Sequence, residues 1–331
     1  MYNYNEILHF GVTMDAWDKY LKLSVECAED LEYPNERYKS LLVDFARRSK
    51  SSESTKGVLV HIVPSTYLET LDPVQSFNVF QRFIAYLYVT VTSLFAREER
   101  DIVRVDILID DLRKRGTKLN LEAFLAQYAT RDLGSIDASD PNTSAAATAA
   151  TDNDEWPFAS SCYGTIAMGG TFDHLHSGHK ILLTAAAWIT RRRLIVGISD
   201  TVILKNKKYA ELLEPFETRL KAVQNFLALI APHVHPYLPP LKDVFGPTSV
   251  DPDIQALVFT VESKSGGDAI AEERRKKNLP PLKEHVVDVI SSERSLSEDD
   301  HIDSLRAMKL SSTTIRQWIY EKDSNSKPDC P

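Results

Sequence analysis

The stretch from Gly164 to Ser199 places the tightest limit on what this chain can fold into. "GTIAM" is a short apolar run that stops at Gly169 and Gly170. "HKILLTAAAWIT" from His179 then has the length and composition of an amphipathic helix, and "RLIVGIS" from Arg193 reads as a second buried strand. Strand, helix and strand in that order make a βαβ unit, whose crossover is right-handed and whose strands run parallel. The alternation continues with a helix in "FETRLKAVQNFLALIA" from Phe216, a strand in "IQALVFTV" from Ile254, a helix in "GDAIAEERRKK" from Gly267 and a strand in "HVVDVIS" from His285. The pattern predicts an α/β architecture, a Rossmann-like doubly wound parallel sheet with its ligand site at the carboxyl ends of the strands.

Ahead of this unit, residues 134–161 read "GSIDASDPNTSAAATAATDNDEWPFASS", with no lysine or arginine and no apolar periodicity. That composition predicts a flexible, disordered linker. The chain therefore divides into an N-terminal α/β domain of unassigned role (residues 1–133), the linker, a chemistry-bearing domain (residues 162–323) and a tail (residues 324–331). In the N-terminal part, helical spacing covers about Trp17 to Glu29 and Glu36 to Arg47. "GVLVHIV" from Gly57 and "VRVDILI" from Val103 read as strands flanking a long helix near Val74 to Arg97. Nothing in it suggests catalysis, and its charged runs "REERD" and "LRKRGTK" read as solvated helix ends and loops.

Composition excludes several classes. At 331 residues and 43% hydrophobic content the chain can build two ordinary cores, and its net charge of −8 argues against a general binder of nucleic acid or anionic membrane. Phe83 to Ala96, the most apolar long segment, is shorter than the roughly 18 residues of a membrane span. The N-terminus lacks the basic region of a signal or transit peptide. Cys27, Cys162 and Cys330 form no CxxC pair, which fits a reducing, cytoplasmic setting.

The chemistry concentrates in "GGTFDHLHSGHK", Gly169 to Lys180. There is no GxGxxG, and no glycine is followed by lysine, so neither a dinucleotide fingerprint nor a phosphate loop is present. Instead two glycines and three histidines stand where a helix should begin. Glycines let the backbone approach a ligand, and a helix start offers unpaired amides and partial positive charge to phosphate. His176 and His179 are three apart and can face one ligand. Two other readings compete: a zinc site, against which stands the lack of a carboxylate or cysteine cluster close behind, and a plain glycine turn with satisfied polar histidines.

"GGTFDHLHSGH" resembles the TFDxxHxGH signature of the nucleotidyltransferase superfamily, and "KLSSTTIRQ", Lys309 to Gln317, resembles its SSTxxR element. The sequence between them is similar to the eukaryotic and archaeal phosphopantetheine adenylyltransferases, in "EPFETRL" from Glu214, "DVFGPT" from Asp243, "TVESKSGGDAI" from Thr260 and "RRKKNLPPL" from Arg274. The resemblance covers about Tyr163 to Tyr320 and implies a nucleotidyltransferase fold that transfers AMP from ATP to 4′-phosphopantetheine, giving dephospho-CoA and pyrophosphate. It implies Mg²⁺ carried in with ATP; a scaffolding role through the N-terminal domain would add other coenzyme A-synthesising enzymes as partners. With no phosphate loop, a coupled dephospho-CoA kinase is not expected.

The resemblance also assigns residues. Gly169, Gly170, Thr171 and Phe172 would line the ATP site, with Thr171 on the acceptor phosphate as well. His176 and His179 would donate to ATP phosphates, His179 at the transferring α-phosphate. Ser311, Ser312 and Thr313 would bind the β- and γ-phosphates, and Arg316 would add a cation. Among Lys205, Lys207 and Lys208 after the second strand, Lys205 and Lys207 are the candidates for catalysis and substrate binding, with no choice between them. Arg191 to Arg193 would instead complement the dipole at the end of the first helix. His174 falls in a variable position. Two departures stand out: Ala271 where the family has asparagine, and Asn278, which can adopt a left-handed backbone, where it has glycine. A cytidylyltransferase acting on a phospho-alcohol such as phosphocholine, and a non-catalytic assembly subunit, are the alternatives.

Overall fold

The computed structural model describes residues 17, 19–31, 36–49, 57–63, 66–95, 103–113, 160–205, 207–288 and 311–325. All of the proposed linker but its last two residues, the "REERD" run and residues 326–331 of the tail lie outside these. Two parallel sheets organise the described chain. The first contains β1 (Lys19–Leu23), β2 (Gly57–Ile62) and β3 (Arg104–Ile109) in the order β1-β2-β3. α1 (Glu36–Ser49) and α2 (Phe77–Phe95) make its crossovers. β2 is central, and all six of its residues are buried. A central strand buried on both faces reads as a continuous apolar run, as "GVLV" does.

β1 departs from the helix expected over Trp17 to Glu29. Trp17, Leu21 and Val25 are buried and four apart, which mimics a helical stripe, but Leu21, Leu23 and Val25 are buried at every second position. Pairing decides between the two periods, and Leu21 aligns with Val60 in the parallel ladder of β1 and β2.

The second sheet is built from β4 (Tyr163–Gly170), β5 (Thr190–Ser199), β6 (His235–Tyr237), β7 (Pro240–Leu241), β8 (Ala256–Thr260) and β9 (Lys283–Val287). Their order is β6-β5-β4-β8-β9, with β7 also on β5, and every pairing is parallel. α3 (Ser177–Trp188) connects β4 to β5, α4 (Phe216–Ile230) follows β5, α5 (Lys264–Lys276) joins β8 to β9, and α6 (Ser312–Asn325) closes the described chain. The chain leaves β4 toward β5 and later returns to its other side at β8. That reversal opens a crevice at the carboxyl ends of β4 and β8, the usual ligand position in a doubly wound sheet.

Arg191 to Arg193 are not at a helix end. α3 stops at Trp188, Thr190 Oγ1 donates to Ala186 O at 2.7 Å to satisfy a terminal carbonyl, and the arginines belong to β5, with Arg193 paired to Asp251 at 2.5 Å. Asn278, just past α5, takes the left-handed backbone expected of it at φ +55°. Ala271 is exposed on α5, away from the crevice.

The two sheets share one apolar core. α2 is buried almost all round because α1 and β3 cover one side and α3 the other. Phe80 stacks on Trp188 with ring centroids 4.0 Å apart, and Phe77 meets His285 edge-on at 4.8 Å. A buried ion pair crosses the same boundary: Lys180 Nζ lies 2.7 Å from Asp106 Oδ1 and donates to Val105 O at 2.7 Å. Trp17 and Arg104 also donate to Asp106, each at 2.7 Å. Burial pushes the Asp106 carboxyl up, but Lys180 and Arg104 outweigh it and hold the group below the usual range. Among the described residues no helix is long and apolar enough to cross a membrane.

Candidate active site

β4 ends at Gly169 and Gly170, and the chain then turns through Phe172 (φ +52°) and His174 (φ +47°) before α3 begins. Two non-glycine residues in the left-handed region are held there by a dense polar network. Asp173, fully buried, accepts from Glu214 N at 2.8 Å and pairs with Arg316. His174 N donates to Glu214 Oε2 at 2.6 Å, and its ring bonds Leu212 O at 3.1 Å, a structural role consistent with a variable position. Arg219, also fully buried, donates to Thr171 O at 2.8 Å, Ser199 O at 2.9 Å and Glu214 O at 3.0 Å. This guanidinium ties α4 to the ends of β4 and β5.

His176 is the N-cap of α3. Its Nδ1 accepts from Gly178 N at 3.2 Å, which leaves Nε2 to carry the proton and face Ser312 Oγ at 3.4 Å. Gly178 is needed here, because a Cβ would sit 3.1 Å from the His176 ring. His179 stacks on His176 with centroids 3.9 Å apart and rests on Phe172 at 5.3 Å. Its Nδ1 is buried, with no hydrogen-bond partner among the described residues.

α6 brings the second motif to the same place. Ser311 Oγ accepts from Thr314 N at 3.2 Å at the helix start, Ser312 Oγ donates to Asp173 O at 3.0 Å, and Arg316 reaches Asp173, Lys208 O at 3.2 Å and Thr313 Oγ1 at 3.2 Å. The N-termini of α3 and α6 thus converge on a cleft of about 390 Å³.

Most of the residues singled out in the sequence line that cleft: Gly169, Gly170, Thr171, His176, His179, Lys207, Ser311, Ser312, Thr313 and Arg316. Both lysines are exposed, but Lys205 is off the lining and Lys207 is on it, which separates the two. Phe172 is fully buried and backs His179 rather than facing the cleft. Arg316 is 1% exposed, and the buried Asp173 neutralises its charge. Asp173, Glu214 and Arg219 were missed as site-shaping residues, although "TFD" and "EPFETRL" contain them. Glu262 and Asp288, beyond β8 and β9, were missed as lining. Among the described residues no group of three or more histidines, cysteines or carboxylates is placed to hold a metal ion.

Both cleft histidines keep part of their surface open, yet each sits where water is scarce. Burial, with smaller contributions from His174 and Lys180, takes His176 down to about 3. Burial and His176 take His179 well below its ordinary value. Both are neutral donors at pH 7. The sign for stability follows: the unfolded chain binds these protons near pH 6.5, while in the folded chain His176 resists its proton until about pH 3 and His179 also stays neutral well below its ordinary value. Stability is therefore full above about pH 6.5 and falls as the pH drops through that window. Unfolding titrations from pH 8 to pH 4 check this. His176→Gln is expected to flatten the acid limb, and an unchanged limb would remove His176 as its source.

Residues 167–318 match the family model described as Cytidylyltransferase-like, and the parallel α/β fold is that of the nucleotidyltransferase class. Over 176 residues the chain is 42% identical to "Phosphopantetheine adenylyltransferase" of Saccharomyces cerevisiae, covering 53% of this chain and 54% of that protein. It is 34% identical over 128 residues to the protein of the same name from Pyrobaculum aerophilum, covering 39% of this chain and 81% of the relative. The figures for the Pyrococcus abyssi protein of that name are 31% identity, 48% of this chain and 93% of the relative. The chain belongs to the phosphopantetheine adenylyltransferase family. It spans about half the length of the Saccharomyces cerevisiae relative and of an uncharacterized Schizosaccharomyces pombe protein 40% identical to it.

Proposed function

We propose that this chain transfers AMP from ATP, taken as its Mg²⁺ complex, to 4′-phosphopantetheine, releasing pyrophosphate and forming dephospho-CoA. One observation carries the reading: the first turns of α3 and α6, more than a hundred residues apart in sequence, open together onto one cleft at the sheet's switch point. Two helix N-termini facing one cavity suit a polyphosphate better than any neutral ligand. The names of the relatives support the donor and the acceptor.

The attacking phosphate has a second pKa near 6, is largely dianionic at neutral pH and needs no general base. The chain's task is alignment and charge stabilisation. Thr171 and Lys207 would hold the acceptor phosphate on the β5 side of the cleft. His176 and His179, both neutral, would donate to the α-phosphate region, with His179 donating where charge builds during transfer. Ser311, Ser312, Thr313 and the amides of α6 would take the outer phosphates. Arg316, already paired with Asp173, acts chiefly by fixing α6 against the turn after β4. Mg²⁺ would be held by the phosphate oxygens and offset their charge. A cytoplasmic setting and contact with other coenzyme A-synthesising enzymes belong to this same reading.

The test follows pyrophosphate release with Mg²⁺, ATP or CTP, and phosphopantetheine or phosphocholine. Turnover with ATP and phosphopantetheine is expected. Turnover only with CTP and phosphocholine would replace this reading with the cytidylyltransferase, and no turnover with any pair would leave a binding subunit. Within the expected reaction, Lys207→Ala should raise the KM for phosphopantetheine about ten- to a hundredfold, the scale of one charge-assisted hydrogen bond. Lys205→Ala should change it less than about twofold, because an exposed lysine off the cleft contributes little. Equal effects from the two would undo the assignment of Lys207.

A further inference from the structure

The last turns of α2, from the half of the chain that carries no recognised motif, form part of the cleft wall through Val89, Thr92 and Ser93. Thr92 is buried, and its hydroxyl meets Ser177 Oγ, in the first turn of α3, at 3.1 Å. The wall is thus fastened to the helix that presents the histidines. Its surroundings differ from those of the phosphate groups. Ile181 and Leu182 of α3 and Val287 at the end of β9 give it an apolar floor, and the nearest charged lining groups on that side, Glu262 and Asp288, are carboxylates that would repel phosphate.

Sheet order gives the wall a side. Lys207 follows β5, which lies on one flank of β4, whereas Val287 and Asp288 end β9, two strands away on the opposite flank. A ligand with its phosphates at the α3 and α6 N-termini, and the acceptor's phosphate on the β5 flank, leaves the apolar, hydroxyl-edged wall on the β9 flank for the uncharged part of the nucleotide. A flat base and ribose match that chemistry: apolar faces to pack on Val89, Leu182 and Val287, and hydrogen-bonding edges for hydroxyls and carboxylates.

We infer that Val89, Thr92 and Ser93 of the N-terminal half form the nucleoside-binding wall of the cleft, making this helix a determinant of nucleotide affinity and not of acceptor affinity. The inference rests on the adenylyl-transfer reading, and the experiment separates the two. In the full chain, Ser93→Phe and Val89→Phe fill the wall. Each is expected to raise the KM for ATP about tenfold or more, the scale of inserting a ring into an occupied surface. The KM for phosphopantetheine should stay within about twofold. Val89→Ala, which only removes atoms from the wall, should weaken equilibrium binding of Mg²⁺·ATP about threefold or more, the scale of one to two lost methylene contacts. This variant decides the matter if the larger side chains disturb folding. Native protein without turnover of ATP and phosphopantetheine would sink the underlying reading. Native turnover combined with unchanged ATP affinity in Val89→Ala, or with the loss falling on phosphopantetheine, would overturn the inference alone.

Discussion

Replacing His179 by alanine is expected to lower kcat by about 10²-fold or more, the scale of removing one donor aimed at transition-state charge. The ring lies between His176 and Phe172, one face 3.9 Å from the first and its other neighbour 5.3 Å away, so it has little room to swing. Among the described residues its Nδ1 has no hydrogen-bond partner. A buried polar atom left unsatisfied carries a free-energy penalty, and sites that keep one usually use it when ligand arrives. Burial also keeps the ring neutral at pH 7, so it donates one hydrogen bond without bringing a charge that ground-state triphosphate would bind equally well. The KM for ATP should accordingly move much less than kcat. Pyrophosphate release at saturating substrates checks this, with unfolding midpoints as a control. Turnover near the native rate would take His179 out of the mechanism.

Asp106→Ala is expected to remove about 3–5 kcal/mol of stability, because it leaves the Lys180 ammonium buried without its counter-charge. Trp17 and Arg104 lose their acceptor in the same step. Adding Lys180→Met to Asp106→Ala should recover a large part of the loss, since an apolar side chain suits a buried site better than an orphaned charge. Chemical denaturation of the single and double variants checks it, and no recovery would mean the pair does not couple the two halves. Removing residues 1–150 acts on the same contacts. It uncovers Trp188 and strips Lys180 of both acceptors. All the matched motifs lie beyond residue 150, which by itself predicts measurable transfer after this deletion; the shared core predicts instead an insoluble or inactive chain, and solubility and pyrophosphate release of the truncated chain decide between them.

The fold of the C-terminal half was legible because local signals and global arrangement agree there. Strand-length apolar runs alternate with helix-length amphipathic ones, and each run sits in one parallel sheet. The cleft-lining residues were legible for a related reason: glycines and histidines at a helix start are chemically unusual. Lys205 and Lys207 were indistinguishable by type and spacing, and only the course of the backbone after β5 puts one exposed lysine on the cleft's lining and leaves the other off it. β1 was hidden because its buried positions satisfy two periods at once, and a one-dimensional pattern contains no information about the neighbouring strand. The contribution of α2 was invisible in principle. Thr92 and Ser93 look like ordinary helix residues until α3 is packed against them.

The ion pair between Arg316 and Asp173 joins residues 143 positions apart and is buried at both ends. Together with the hydrogen bond from Ser312 to Asp173 O, it locks the start of α6 to the turn after β4 through groups of the chain itself. Under the proposed reaction an incoming triphosphate would meet a preorganised receptor, and little of its binding free energy would be diverted into ordering these two segments. The same lock makes the two motifs mechanically inseparable: a change that shifts the turn must carry α6 with it, so a lesion at Asp173 would be felt by phosphates it never touches.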